Sequence, residues 1–348
     1  MKGARKLKAI TVLLTASGVP GSTALIRALR ENGERELRLV GTDMSELAIG
    51  RHYCDAFHLV PGGGDPGFVG ALAEICQRER VDAVLPQSSY ELQALAEGKA
   101  RFGDTAVLVA GPEAVRRSND KAETYALLDA ISVRGPAWRR VTGTDEIAVA
   151  ARELGYPDED VAFKPLVSSG SRGFRIVSAG ADRRRQLLEN RPGVAEALRL
   201  EELVELLGDD QTESLVMELV RGPERTIDGI SSRGRILLGH PKTREEMRAG
   251  LAMYFETLDD PRLMDVAATI AVELELDHFF NIQLVGDAVI EINPRISTVV
   301  YQDDLNLPYL GIKHALGELS DDELAAYAAR VRPTRKALRY FDQVEWDA

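Results

Sequence analysis

Residues 281–295 read NIQLVGDAVIEINPR, two apolar runs on either side of Gly286-Asp287. This is the pattern of a hairpin in a buried antiparallel sheet. It constrains the chain because Gln283, Glu291 and Asn293 sit on it. A polar group on such a strand needs a partner, and an ionised carboxylate needs a strong one. A solvated edge, a buried arginine or a metal ion would each serve. Glu291 and Asn293 are two apart and share a face, but Gln283 joins them under one register only. A strict two-residue turn pairs Gln283 with Ile290 and sends it to the opposite face from Glu291. One extra residue pairs it with Glu291. A metal therefore requires a bulge or a three-residue turn. An acid beside neutral oxygen donors suits Mg²⁺ that also holds substrate phosphates, and Arg295 would then stand beside those phosphates or a substrate carboxylate.

Upstream, strands are expected at 9–15, 37–42, 57–60, 81–85 and 106–110, with helices at 22–32, 66–80 and 89–102 between them. Strands alternating with helices predict a parallel, doubly wound sheet over residues 1 to about 112. A helix follows over 112–130. A second α/β segment has strands at 160–166 and 174–178 and a charged helical stretch over 181–208. The strand 214–220 leads into an antiparallel region with turns at Gly222-Pro223 and around 232–234. Helices are expected over 260–276 and 321–330. At 348 residues, two or three domains are the natural division.

Several function classes fall away. The formal charge of −12 argues against a general nucleic-acid or anionic-membrane binder. No apolar run has the length of a membrane span, and the basic N-terminus followed by about seven apolar residues reads as a first strand rather than a signal peptide. The expected setting is cytoplasmic. Cys54 and Cys76 lack metal or disulfide spacing and read as unreactive thiols. TASGVPGSTALIRAL has the strand–turn–helix layout of a dinucleotide fingerprint, with Asp43 ending the next strand, but its pattern is Ala16-x-Gly18-x-x-Gly21. The first glycine is missing, and the match favours a doubly wound domain without NAD. No Walker loop, HExxH, Ca²⁺ loop or Gly-x-Ser-x-Gly elbow is present.

Three other stretches carry chemistry. VAFKPLVSSGSRGF places Lys164 on a strand before a loop of Ser168, Ser169, Gly170, Ser171, Arg172 and Gly173. Such a loop lets backbone N–H groups approach an anion, and serves equally as an ordinary hairpin connection. MELVRGPERTIDG sets Glu218, Glu224 and Asp228 around a Gly-Pro turn, as surface carboxylates or as acceptors for a ribose or an adenine amino group. GHPKTR places His240, Lys242 and Arg244 together, either to hold a substrate carboxylate or phosphates or as a solvated basic turn. Asp303 and Asp304 either attract a substrate ammonium or cap the next segment. Lys121 alone reads as a solvated charge.

In this order, Lys121, Lys164 with its Ser/Gly loop, Glu218 to Asp228, and NIQLVGDAVIEINPR resemble the ATP-grasp superfamily. The likeness is greatest to its carbamoyl-phosphate-synthase-like branch, with the signature NxQ…IExNPR, and spans most of residues 1–312. The resemblance implies an α/β protein of ATP-grasp fold. It would have an N-terminal Rossmann-like doubly wound domain (1–112) that does not bind the nucleotide. A linker helix and small α+β lid (113–217) and a C-terminal antiparallel-sheet α+β domain with the metal site (218–348) would follow.

By position, the resemblance implies that Lys121 and Lys164 contact nucleotide phosphates. Ser169, Gly170, Ser171, Arg172 and Gly173 would form the lid loop over them, with Arg172 adding charge. Glu218 and the backbone of Leu219 and Val220 would hold adenine, and Glu224 the ribose. Gln283, Glu291 and Asn293 would bind one or two Mg²⁺ ions, with Mn²⁺ as a substitute. Arg295, with Lys164 and Arg172, would stabilise the transferred phosphoryl group. The role of Asp228 is left open. A single module without a biotin-carboxylase-type extension looks like the carboxylate–amine ligases of amino-acid metabolism. These form an amide through an acyl phosphate and release ADP. The alternative is an acyl- or carbamoyl-phosphate-forming phosphotransferase. Expected partners are a small carboxylate and an amine, without nucleic acid or membrane, and a homodimer is allowed.

Overall fold

The computed structural model describes residues 7–166, 173–189, 197–248, 251–297 and 305–347. Five strands form the first sheet: β1 (Ile10–Leu14), β2 (Leu37–Asp43), β3 (Ala56–Leu59), β4 (Ala83–Leu85) and β5 (Ala106–Val107). They are all parallel, in the order β3-β2-β1-β4-β5. β1 is apolar on both sides because both faces are covered. Leu13, Val40 and Val84 pack toward the helix Phe68–Glu79, while Val12, Leu14 and Leu39 pack toward Leu25, Ile26 and Leu29 of the helix Ser22–Arg30. The turn after β1 is closed by its own chain. Gly18 N–H donates to Asp43 Oδ2 at 2.8 Å and Ser45 N–H to Oδ1 at 2.9 Å. Asp43, the acid a dinucleotide ribose would need, is thereby spent on the loop.

The expected helix over 112–130 is two helices, Pro112–Asn119 and Lys121–Ala130. Asp120 causes the break. It is extended (φ −82°, ψ 119°), and its carboxylate accepts from Ala122 N–H and Glu123 N–H at 2.8 and 3.1 Å, a side-chain N-cap. The restart puts Lys121 at the first helical position, where its side chain is buried.

The second sheet contains β6 (Trp138–Thr142), β7 (Val161–Pro165), β8 (Arg175–Val177), β9 (Ala197–Leu198) and β10 (Glu213–Glu218), in the order β6-β10-β7-β8-β9. Only the β8–β9 pair is parallel. β6 and the helix Gly143–Glu153 after it are absent from the sequence-based prediction. The charged stretch expected to be helical over 181–208 holds helices Arg183–Glu189 and Leu200–Leu207, with β9 between them.

The third sheet is antiparallel: β11 (Glu224–Ser232), β12 (Arg235–Arg248), β13 (Leu251–Glu256), β14 (His278–Val285), β15 (Ala288–Asn293) and β16 (Lys336–Leu338), in the order β15-β14-β11-β12-β13-β16. It is tied to the first sheet through the helix Leu307–Ala315, which the sequence reading also missed. Arg35 Nε donates to Tyr309 Oη at 2.9 Å, Arg35 pairs with Glu318, and Lys313 reaches Glu34 at 2.6 Å. Leu219 and Val220 carry the chain from β10 into the third sheet. There the turn at Gly222 meets the turn at Gly286, and a Cβ on Gly222 would lie 2.8 Å from Gly286 Cα. Among the described residues, no helix is long and apolar enough to cross a membrane.

Candidate active site

The hairpin has a two-residue turn, with Val285 opposite Ala288 and Leu284 opposite Val289. The ladder then shifts by one residue: Gln283 faces Glu291 and Asn281 faces Asn293. Ile290 is the extra residue, a β-bulge, and its carbonyl accepts from the buried Tyr125 hydroxyl at 3.2 Å. The bulge brings Gln283, Glu291 and Asn293 onto one face, the register a shared metal would require.

That face continues across the sheet in two cross-strand rows. Lys242, Thr226, Gln283 and Glu291 form one; His240, Asp228, Asn281 and Asn293 form the other. Six of these eight residues are buried, so they must satisfy one another. Asn281 is the hub. Its Nδ2 donates to Thr226 and, at 2.8 Å, to Asp228 Oδ1. Its Oδ1 accepts from Gln283 Nε2 at 3.0 Å and Asn293 Nδ2 at 3.3 Å. Both amides therefore spend their nitrogens on one oxygen and turn their own oxygens elsewhere. Asn281 escaped the sequence reading as a site residue, although it is the first letter of the NxQ signature.

Asp228 and Lys242 form a buried ion pair. Burial works against the Asp228 carboxylate, but the Lys242 charge and hydrogen bonds from Lys242 and Asn281 outweigh it, and the group stays below the usual carboxylate range. Burial and Lys242 push His240 down to about 3, which leaves it neutral. His240, Lys242 and Arg244 are thus not a solvated basic turn: the first two are core residues, and the Arg244 side chain is only 11% exposed.

Two lysines reach this face from other elements. Lys121 Nζ donates to Glu291 Oε1 at 2.8 Å. Burial opposes the Glu291 carboxylate, yet Lys121, with Lys164 and Arg295, holds it down at about 2. Lys164, on β7 of the second sheet, is lowered to about 8 by burial and by Lys121, against the pull of Glu291. The isolated-charge reading of Lys121 is therefore overturned.

Below the hairpin, the loop after β4 supplies Ser89. Its hydroxyl accepts from Arg295 Nε at 3.0 Å and donates to Asn293 Oδ1 at 3.3 Å. The loop is pinned by the buried Glu91, which accepts from Thr15 Oγ1 and from Gln87 and Ser88 N–H groups at 3.1 and 3.0 Å. Burial raises Glu91 to about 7 even so. Neither Ser89 nor Glu91 has a sequence signal, because their partners lie in loops and strands remote in the chain.

The nucleotide candidates are placed as follows. Glu218 Oε1 accepts from Arg134 Nη2 at 2.9 Å and Oε2 from Ala137 N–H at 3.1 Å. Its carboxylate is committed to the linker, so an adenine contact would fall to the backbone at Glu218, Leu219 and Val220. Glu224 is half-buried, 3.5 Å from Arg244. Gly173 has φ +72°, and a Cβ there would meet the Pro165 ring at 2.7 Å, so this return from the loop requires glycine. Ser168, Ser169, Gly170, Ser171 and Arg172 lie outside the described residues, as do Asp303 and Asp304. Burial pushes the Cys54 and Cys76 thiols up to about 12, which disfavours the reactive thiolate.

The donor set can be tested against a metal ion. Among the described residues no three His, Cys, Asp or Glu side chains come together. A resident ion in an all-protein cage is therefore not what this face offers. One ionised carboxylate with two aligned amides fits Mg²⁺ that draws its other ligands from phosphates and water.

A parallel doubly wound sheet, a small mixed sheet carrying Lys164 and a larger antiparallel sheet carrying Glu291 together form the ATP-grasp architecture. Two family models match the chain: "ATP-grasp in the biosynthetic pathway with Ter operon" over residues 210–337, and "PylC-like, N-terminal domain" over 12–110. The carbamoyl phosphate synthase large chain of Methanothermobacter thermautotrophicus is 26% identical over 285 residues, 78% of this chain and 25% of that protein. The chain spans between 16% and 29% of the length of the first curated relatives it matches. Among solved structures, an L-amino acid ligase from Bacillus licheniformis aligns with TM-score 0.64 at 15% identity, over 95% of this chain and 79% of that one. The biotin carboxylase domain of the Hydrogenobacter thermophilus 2-oxoglutarate carboxylase, in complex with MgADP, ADP and bicarbonate, aligns with TM-score 0.64 at 15% identity, over 89% and 70%. Over residues 210–337 the chain thus matches an ATP-grasp family model, and it is similar to the large chains of carbamoyl phosphate synthases.

Proposed function

We propose that the chain is an ATP- and Mg²⁺-dependent ligase that joins a small carboxylate, related to an amino acid, to an amine, with ADP and phosphate as by-products. The observation that carries this reading is the meeting of Lys121, Lys164 and Glu291 between two sheets, with Gln283 and Asn293 aligned beside them. Lys121 and Lys164 supply positive charge for a triphosphate, and Arg295 stands just past the end of β15, the strand of Glu291, for the transferring phosphoryl oxygens. Such preorganised charge is what phosphoryl transfer needs, since the transition state is stabilised electrostatically. Mg²⁺, held by Glu291, Gln283 and Asn293, would neutralise phosphate charge. The substrate carboxylate attacks the γ-phosphorus, the bond to the ADP oxygen breaks, and an acyl phosphate results. The amine then adds at the acyl carbon, phosphate leaves, and the amine gives up a proton. The low Glu291 pKa supports a permanently ionised ligand rather than a general base. Ser169, Gly170, Ser171, Arg172 and Gly173 form the proposed lid that keeps water from the acyl phosphate.

The test is ADP release over pairs of carboxylates and amines. Release that requires both members supports the ligase. Release with the carboxylate alone, trapped by hydroxylamine as a hydroxamate without any amine dependence, replaces it with an acyl-phosphate-forming phosphotransferase.

A further inference from the structure

The polar face of the third sheet receives a hydroxyl from the N-terminal domain. Ser89 lies in the loop between β4 and the helix Leu92–Glu97, 204 residues from Asn293 and 206 from Arg295 in the chain. Its Oγ is nevertheless 3.3 Å from Asn293 Oδ1 and 3.0 Å from Arg295 Nε. A serine hydroxyl has one proton to give and lone pairs to accept with. Arginine can only donate, so Ser89 accepts from Arg295 and turns its proton to Asn293.

Each partner is held at a second point. Arg295 Nη1 donates to the Ile296 carbonyl at 2.9 Å, so with Nε on Ser89 the plane of the guanidinium is fixed. Asn293 Nδ2 donates to Asn281 Oδ1 at 3.3 Å, so with Oδ1 on Ser89 the amide is fixed as well. An amide oxygen has two lone pairs, which leaves Asn293 Oδ1 able to serve a metal while Ser89 holds it.

The position of Ser89 is itself built in. The Glu91 carboxylate accepts from the Thr15 hydroxyl and from Gln87 and Ser88 N–H groups, which sets the backbone just before Ser89. Gln87 Nε2 donates to the Thr15 carbonyl at 3.0 Å, and its Oε1 accepts from Ser22 Oγ at 3.1 Å. Thr15, Ser22, Gln87 and Glu91 are all buried. From the loop after β3, a Cβ on Gly63 would lie 2.7 Å from Glu91 Cα, so the two loops are in close contact. Asn119 Nδ2 reaches the Ser89 carbonyl at 3.3 Å. The core of the N-terminal domain thus presents Ser89 to the site.

Resting on the ligase reading above, we propose that Ser89 is a positioning residue: one hydroxyl holds the candidate metal donor Asn293 and the phosphoryl-facing Arg295 in a fixed relation. The N-terminal domain then takes part in the transfer step without touching the nucleotide. Without the hydroxyl, both groups lose their common anchor and must be ordered during the transfer itself, where electrostatic stabilisation depends on groups already in place.

The test compares the full chain with S89A and S89T by two measurements. One is ADP release with an acid–amine pair active in the screen above; the other is calorimetric titration with the β,γ-imido analogue of ATP, with and without Mg²⁺. At saturating Mg²⁺, S89A should lower kcat by about 10- to 100-fold, the scale of one hydrogen bond to a charged group, and leave KM for ATP within about twofold. The gain in analogue affinity from Mg²⁺ should shrink by about fivefold, the scale of one neutral hydrogen bond, while metal-free binding stays as in the wild type. S89T, which keeps the hydroxyl, should retain most of both. Thermal transitions should stay near wild type, whereas a merely structural link between domains would lower the transition and leave kcat and the Mg²⁺ gain intact. A wild-type kcat or an undiminished Mg²⁺ gain in S89A, or equal losses in S89A and S89T, would overturn the proposal. The ligase reading fails separately, if no acid–amine pair releases ADP; the Mg²⁺ gain in S89A then decides the role of Ser89 by itself.

Discussion

The Lys121 ammonium lies 2.8 Å from Glu291 Oε1, across 170 residues of sequence. One residue begins a helix and the other lies within β15 of the third sheet, and each is where the other needs it. Lys121 is almost fully buried, and that carboxylate is its ionic partner. Phosphates or a metal arriving here would exchange partners within an existing charge network rather than enter a neutral pocket.

The first prediction concerns this pair. Glu291→Gln keeps the shape and removes the charge. ADP formation should fall by about 10²–10³-fold, the scale of losing one transition-state electrostatic contact, while the circular dichroism spectrum stays native. Normal turnover by the variant would place the chemistry elsewhere.

Lys164 should make nucleotide binding pH-dependent. Its folded pKa of about 8 lies below the ordinary 10.5, so the lysine loses its charge as pH rises through 8. ADP affinity should weaken between pH 7 and pH 9, and Lys164→Met should weaken it at pH 7 and flatten the profile. The sign for stability is opposite. Between about 8 and 10.5 the unfolded chain binds more protons, so this group favours the fold increasingly as pH rises. An affinity that K164M leaves untouched at every pH would remove Lys164 from the phosphate site.

For Glu91 the folded pKa, about 7, is above the ordinary 4.5. The native state binds more protons through that window, so stability should decline as pH rises from 4.5 to 7 and stay lowered above it. Glu91→Gln should remove this slope and leave a protein at least as stable at pH 8. Urea unfolding of both proteins at pH 5.5 and pH 8 measures it; parallel slopes would show that Glu91 does not titrate there.

Lys242→Met should cost about 3–5 kcal/mol, because it leaves Asp228 charged and buried without its partner. The double variant Lys242→Met with Asp228→Leu should recover much of that loss. If denaturant midpoints show a single-variant loss below about 1 kcal/mol, the scale of an exposed pair, the two do not act as a buried ion pair.

Much of the architecture was legible because it is written in short-range patterns. Alternating strands and helices over the first third, Gly-Pro and Gly-Asp turns, and the apolar runs of 281–295 each declare themselves within a few residues. β6 and its helix were missed because TrpArgArgValThr has no clean alternation, being paired at the edge beside β10 with its arginines exposed. The break at Asp120 was missed because the periodicity of 112–130 runs through it, and only the cap separates the helices.

The sequence by itself determined the hairpin, its three polar residues and the condition on its turn; it could not choose the register. Tertiary structure made that choice by bulging Ile290 and giving its carbonyl to Tyr125. It likewise decided that Lys121 meets Glu291, that His240 and Lys242 are interior, and that Ser89 meets Asn293 and Arg295. The physical reason is range: backbone preference and apolar periodicity act between near neighbours in the chain. The partner of a buried charge is whichever group long-range packing brings within a few ångströms.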